Sequence, residues 1–171
     1  MLGRWIAGAA ALVAAAGCNK PLPLNDAARA AIADSVSQLA TRMFASLAQD
    51  ASAEKVLSYF VRGSGLVSAA DGMLFPTYDS LVKVENAQYR PGTQLDVKLD
   101  QTRLTVLDRD VVVLAAMLDG FMRDSAGTEW PVHAAWTAVY HRTSDGWKIA
   151  ADHESTAQPA AEPAKPKRGA R

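Results

Sequence analysis

The stretch "GWKIAADHES", Gly146–Ser155, decides how this chain folds. Its residues alternate: Trp147, Ile149, Ala151, His153 and Ser155 fall on one side of an extended strand. Lys148, Asp152 and Glu154 fall on the other, with Ala150 among them. On this count His153 continues an apolar row, and the two carboxylates face away from it.

Upstream, "TSDG" at Thr143–Gly146 is a tight turn, and Trp130–His141 is a further strand. "DSAG" at Asp124–Gly127 and "LDRD" at Leu107–Asp110 turn the chain twice more around "VVVLAAML", Val111–Leu118. Leu95, Val97 and Leu99 alternate with charged residues, and the apolar parity then moves to Leu104 and Val106. That shift predicts a bulge or bend near Gln101–Arg103. Four strands joined by short turns make an antiparallel meander. Val111–Leu118 is apolar throughout, and Trp130–Tyr140 carries apolar bulk on both parities. A sheet with one wet face alternates, so a second cover is expected, most economically another copy of the chain.

Before the strands the period is helical. Ile32, Val36, Leu39, Met43 and Leu47 give a helix over Asp26–Gln49 one apolar face, with Asn25 as N-cap. A short helix follows from about Asp50 or Ser52 and is stopped by Gly63 and Gly65. "GLVSAADG" reads as a short strand ending at Gly72, and Pro76–Tyr89 as a third helix capped by Thr77. The fold class is therefore α+β, with N-terminal helices packed on a curved antiparallel sheet of about four main strands.

The two ends differ from this body. Arg4 precedes an apolar run from Trp5 to Ala16, too short to span a bilayer, which needs about 20 residues. "AAGC", Ala15–Cys18, resembles the lipobox of bacterial lipoproteins, departing at Ala15, where leucine is commonest. The resemblance implies lipidation of Cys18, which is also the chain's single cysteine. The alternative is cleavage after Ala16 and a free thiol. By the sorting rule of proteobacterial lipoproteins, Asn19 implies an outer-membrane anchor facing the periplasm. The expected organisation is a signal peptide over 1–17, a tether over 18–25, one domain over 26–156 and a disordered Pro/Ala/Lys-rich tail over 157–171.

Hydrophobic residues make up 49% of the 171-residue chain, an ordinary globular share. Lys+Arg and Asp+Glu are 18 each; the basic tail and Arg4 leave the remainder acidic, which argues against nucleic-acid binding. His133, His141 and His153 lack ligand spacing, so no metal and no cofactor are expected. No phosphate loop or nucleophile elbow occurs.

The strand-to-helix passage Gly72–Tyr89, "DRDVVVL", "AAWTAVYHRTSDGWKI" and "DHES" together resemble the nuclear transport factor 2-like superfamily, particularly its SnoaL-like bacterial members. The resemblance spans about Ala27–Thr156. It implies a cone in which the sheet curls round three helices and leaves a cavity. Its members include isomerases, dehydratases, cyclases and proteins with no known activity, so it fixes a cavity and not a reaction.

Four residues are pocket candidates. His153 is either a general base or ligand partner at the cavity mouth, or a satisfied histidine near a strand end. Asp119 is either the cavity acid that isomerase members use, or a residue already emerging into solvent before Gly120. Tyr78 and Trp136 either line the pocket or are core aromatics. The leading expectation is a non-catalytic envelope module binding a small apolar ligand or a protein partner. The alternatives are an acid/base enzyme, isomerase or dehydratase in type, using His153 with Asp119 or Tyr78, and a dimeric scaffold with a filled cavity. What separates the first two is whether at least two polar groups converge inside.

Overall fold

The computed structural model describes residues 23–157. The leader over 1–17, Cys18 with most of its tether, and the tail beyond 157 lie outside the described residues. Helix α1 spans Asp26–Leu47, and Asn25 caps it by accepting from the Ala28 backbone N–H at 2.8 Å. α1 buries Val36, Ala40, Met43, Phe44 and Leu47. α2, Ala53–Leu57, is capped by Ser52; α3, Tyr78–Gln88, starts in a capping box between Thr77 and Ser80.

The strands are β1 (Val67–Ala70), β2 (Met73–Phe75), β3 (Gln94–Asp108), β4 (Val111–Arg123), β5 (Glu129–Thr143) and β6 (Gly146–Thr156). They form one sheet of six in the order β2-β1-β6-β5-β4-β3, which does not close on itself. The four-stranded meander is thus extended at its β6 edge. β1 pairs in parallel with β6, and β2 pairs antiparallel with β1 through a two-residue Asp71-Gly72 turn. Both turn residues have positive φ, 46° and 84°, as a hairpin of this length requires. The sheet is therefore mixed and has six strands, not the four antiparallel ones expected. Three-residue β2 is too short to show a period.

The bulge expected in β3 is present: the register shifts between Asp100 and Arg103, with Gln101 at φ 48°. A second bulge was not foreseen. On β6, Tyr140 pairs with Ile149 and Val139 with Ala151, so Ala150 is an extra residue with no partner on β5. One extra residue inverts every side chain beyond it. Trp147 and Ile149 are buried, and beyond the bulge the inward positions belong to Asp152 and Glu154; His153 and Ser155 are exposed on the outer face. The single face predicted for Trp147 through Ser155 does not exist.

The core lies between the helices and the inner face of the sheet, where Val112, Leu114, Ala138, Tyr140 and Ile149 are almost fully buried. Phe44 of α1 meets Trp136 of β5 edge-on, centroids 5.4 Å apart. The Arg29 guanidinium donates to the Val106 carbonyl at 2.7 Å, tying the start of α1 to the end of β3. No helix among the described residues is long and apolar enough to cross a membrane.

Candidate functional site

A cavity of about 310 Å³ opens between α1, α3 and the sheet. Its walls are apolar: Phe44, Leu47 and Phe60 from the helical side, Leu81 from α3, and Leu95, Leu118 and Trp136 from the sheet. Into it β6 brings Asp152 and Glu154, α3 brings Glu85 and Tyr89, and β1 brings Ser68; Asp71 and Thr156 lie at its rim.

The local reasons are short. The Ala150 bulge turns both β6 carboxylates inward. Parallel pairing sets Ser68 opposite Asp152 and Ala70 opposite Glu154. On α3 and its C-cap, Leu81, Glu85 and Tyr89 recur every four residues and line the same cavity, with Leu81 buried in the core. At the rim Asp71 accepts from the Thr156 backbone N–H at 2.7 Å and bonds its hydroxyl at 2.8 Å. Those two bonds hold the Asp71 carboxyl below its ordinary value.

The three inner carboxyl groups move the other way. Burial, and then the charges of Asp152 and Glu154, pushes Glu85 up to about 8. Burial also raises Glu154, with Asp152 and Asp71 adding to it. Asp152 is raised by burial but opposed by two donors, the Ser68 hydroxyl and the Trp136 indole N–H, the latter at 3.4 Å from Oδ2. Asp152 Oδ1 and Glu85 Oε2 are buried without a partner. Burial raises the Tyr89 phenol far above its usual range, with Glu85 as the next cause. Chemically this is an apolar-walled cavity holding one carboxyl kept protonated near neutral pH beside one whose ionised form receives hydrogen bonds.

Of the sequence candidates, Trp136 lines the cavity and also binds Asp152. Tyr78 is half-buried and packs on the core without lining the cavity. Asp119 sits on the outer face, its side chain 70% exposed and 3.5 Å from His133 Nδ1. His153 is exposed on that same outer face, between the two inward positions Asp152 and Glu154. The structure brings neither to Trp136. Of the carboxyl residues that do converge, Asp152 and Glu154 were read as facing away, and Glu85 and Asp71 were not singled out. The four-residue spacing of Leu81, Glu85 and Tyr89 was the available signal for the α3 pair. No group of three or more His, Cys, Asp or Glu among the described residues is arranged to hold a metal ion.

The profile of the SnoaL-like domain matches residues 36–159. The chain belongs to the SnoaL-like domain family. No curated protein sequence matches it. Solved structures similar to this SnoaL-like chain include a candidate dehydratase of the NTF2-like family from Streptomyces avermitilis, 14% identical, TM-score 0.62, covering 76% of this chain and 99% of that one. Another is a ketosteroid isomerase-like protein from Erwinia carotovora atroseptica, 16% identical, TM-score 0.55, covering 80% and 100%. A third is an NTF2-like protein of unknown function from Shewanella oneidensis MR-1, 14% identical, TM-score 0.58, covering 71% and 97%. At these identities the likeness is one of fold. It agrees with the SnoaL-like cone: N-terminal helices on a curved, unclosed sheet.

Proposed function

We propose that this SnoaL-like domain binds a small, mainly apolar molecule in its cavity and moves a proton on it, with Asp152 as base and Glu85 as acid. The observation that carries this reading is the convergence of Glu85, Asp152, Glu154 and Tyr89 on one apolar-walled cavity. Burial raises both carboxyls, but Asp152 receives two donors that oppose the rise and favour its carboxylate, whereas Glu85 Oε2 receives none and its carboxyl stays protonated. A protonated carboxyl beside one whose ionised form is hydrogen-bonded is an arrangement that general acid/base catalysis uses. The reading departs from the binding module favoured on sequence, because the polar groups then absent from the inner face are supplied by the far side of β6. The isomerase-like and candidate dehydratase relatives are consistent with it.

The test is solvent-deuterium exchange at the α-carbon of small ketones, followed by NMR in D₂O with the full-length protein. Exchange that Asp152→Asn abolishes supports proton transfer. Tight binding of the same ketones with no exchange would favour the binding module instead.

The site's setting is part of the same proposal: a lipoprotein anchored through Cys18 and facing the periplasm. Support comes from the apolar run Trp5–Ala16 ending at the chain's single cysteine. A homodimer through the outer face of the sheet is supported by Val113, Ala115, Met117 and Val139, half-exposed side by side there.

A further inference from the structure

Four acidic side chains meet one cavity, and among the described residues no lysine, arginine or histidine lines it, although His153 on the outer face acts electrostatically on Asp71 and Asp152. Elsewhere among the described residues carboxylates do have cations. Asp50 pairs with Lys55, Glu129 with Arg123, Asp110 with Arg142 and Asp119 with His133. Inside the cavity the positive partner is missing, and the cost is visible in three atoms. Glu85 Oε2 and Asp152 Oδ1 are buried with nothing to accept from. The hydroxyl of Tyr140, a side chain only 1% exposed, is also without a partner and feels the Asp152 charge. A buried acceptor left unmade costs more than an average hydrogen bond returns, so a native fold that keeps two of them beside an open cavity leaves them for a ligand.

The chemistry of that ligand follows from what the walls lack. A neutral alcohol or ketone supplies at most one donor and no charge. A carboxylate ligand is repelled by Asp152 and Glu154. An ammonium group supplies several N–H donors and one positive charge, and both orphaned oxygens accept. The rest of the cavity, walled by Phe44, Leu95, Leu118 and Trp136, takes an apolar body. A volume of about 310 Å³ is at the small end for ligand pockets, so the body is a single ring or a short chain.

We propose that the ligand is a small organic amine bound as its ammonium ion, its nitrogen among Glu85, Asp152 and Glu154 and its carbon skeleton against the apolar walls. This rests on the cavity being a ligand site, as argued above, and not on proton transfer: ketone exchange reports on Asp152 as a base, whereas the amine is the class of molecule that the unpaired lining selects. Glu85, Asp152 and Glu154 are then the residues that determine specificity.

The experiment uses three probes of one skeleton, cyclohexylmethylamine, cyclohexylmethanol and cyclohexanecarboxylate, titrated calorimetrically into the full-length protein near neutral pH. The amine is expected to bind at least about tenfold tighter than the alcohol, and the carboxylate not to bind. Asp152→Asn and, independently, Glu154→Gln are expected to lower amine affinity toward that of the alcohol while leaving the alcohol's own affinity within a few-fold. Retained alcohol binding also certifies that each variant is folded. An alcohol that binds as tightly as the amine overturns the amine proposal and leaves the cavity reading standing. If none of the three binds, the cavity reading falls as well.

Discussion

Ile149 and Asp152 both face the cavity although three positions separate them on one strand. Strict alternation forbids this. Ala150 makes it so, by standing unpaired opposite β5. Deleting Ala150 removes the extra residue, so Ala151 follows Ile149 directly and Asp152 and Glu154 keep their inward positions in an unbulged strand. The deletion variant is expected to keep amine binding within a few-fold, with calorimetry as the readout. Loss of binding with the fold intact by thermal unfolding would show that the bend of the bulge, and not only its extra residue, shapes the cavity.

Glu85 gives stability a definite slope with pH. Its ordinary value is 4.5, and in the fold burial, then Asp152 and Glu154, raise it to about 8. Between those values the folded chain keeps a proton that the unfolded chain has lost. The stabilisation is therefore full below about 4.5, declines as pH rises, and is gone above about 8. The amount is on the order of a few kcal/mol. Glu85→Gln is expected to remove most of the slope between these limits in urea unfolding measured across pH. An unchanged slope would place the proton elsewhere.

Two adjacent residues separate the proposed chemistry from the surface. Asp152→Asn is expected to lower deuterium exchange on ketones by roughly 10²–10⁴-fold, the usual yield of a placed base. His153→Ala, and likewise Asp119→Ala, is expected to leave the rate within a few-fold, because both side chains are exposed on the outer face. A rate that collapses with His153→Ala would move the site to the other side of the sheet.

How much of this was legible beforehand depends on which side chains mark a parity. In β3 the apolar row jumps from Leu99 to Leu104 and Val106 across charged neighbours, so its bulge shows in the sequence. In β6 the extra residue sits in "IAAD", where Ala150 and Ala151 suit either face, so no side chain records the inversion until Asp152. The helices were legible from their caps at Asn25 and Thr77. β2 was not, although the Asp71-Gly72 dipeptide is a strong hairpin signal. The parallel β1–β6 pair brings together segments some eighty residues apart, and local periodicity carries nothing about such a contact.

At Gly120 the backbone of β3 leaves no room for a side chain on β4. A Cβ built there lies 2.1 Å from the Asp96 carbonyl oxygen and 2.8 Å from the Val97 Cα, both backbone atoms that cannot swing aside. Gly120→Ala is expected to cost about 1–3 kcal/mol or more in thermal unfolding, with Val97 and Leu118 displaced in consequence. Gly72→Ala, with open space around its Cβ, meets only the penalty of its positive φ and is expected to cost less.

Met117 stands mid-strand on the outer face between Asp100 and Ala135. If copies of the chain associate there, Met117→Glu places a charge in the seam. Light scattering after gel filtration is expected to show the mass halve, with the melting temperature of the dilute protein little changed. A parent protein that is already monomeric would refute the dimer directly.

The last strand to leave the ribosome is not an edge strand: β6 enters the sheet between β5 and β1. Until residue 152 has been synthesised, the early hairpin β1–β2 has no neighbour to join and Ser68 has no acid to bond. The hollow and its charged lining thus come into being in one late step. A nascent or C-terminally clipped chain is empty of both, and there is no half-built version with partial affinity.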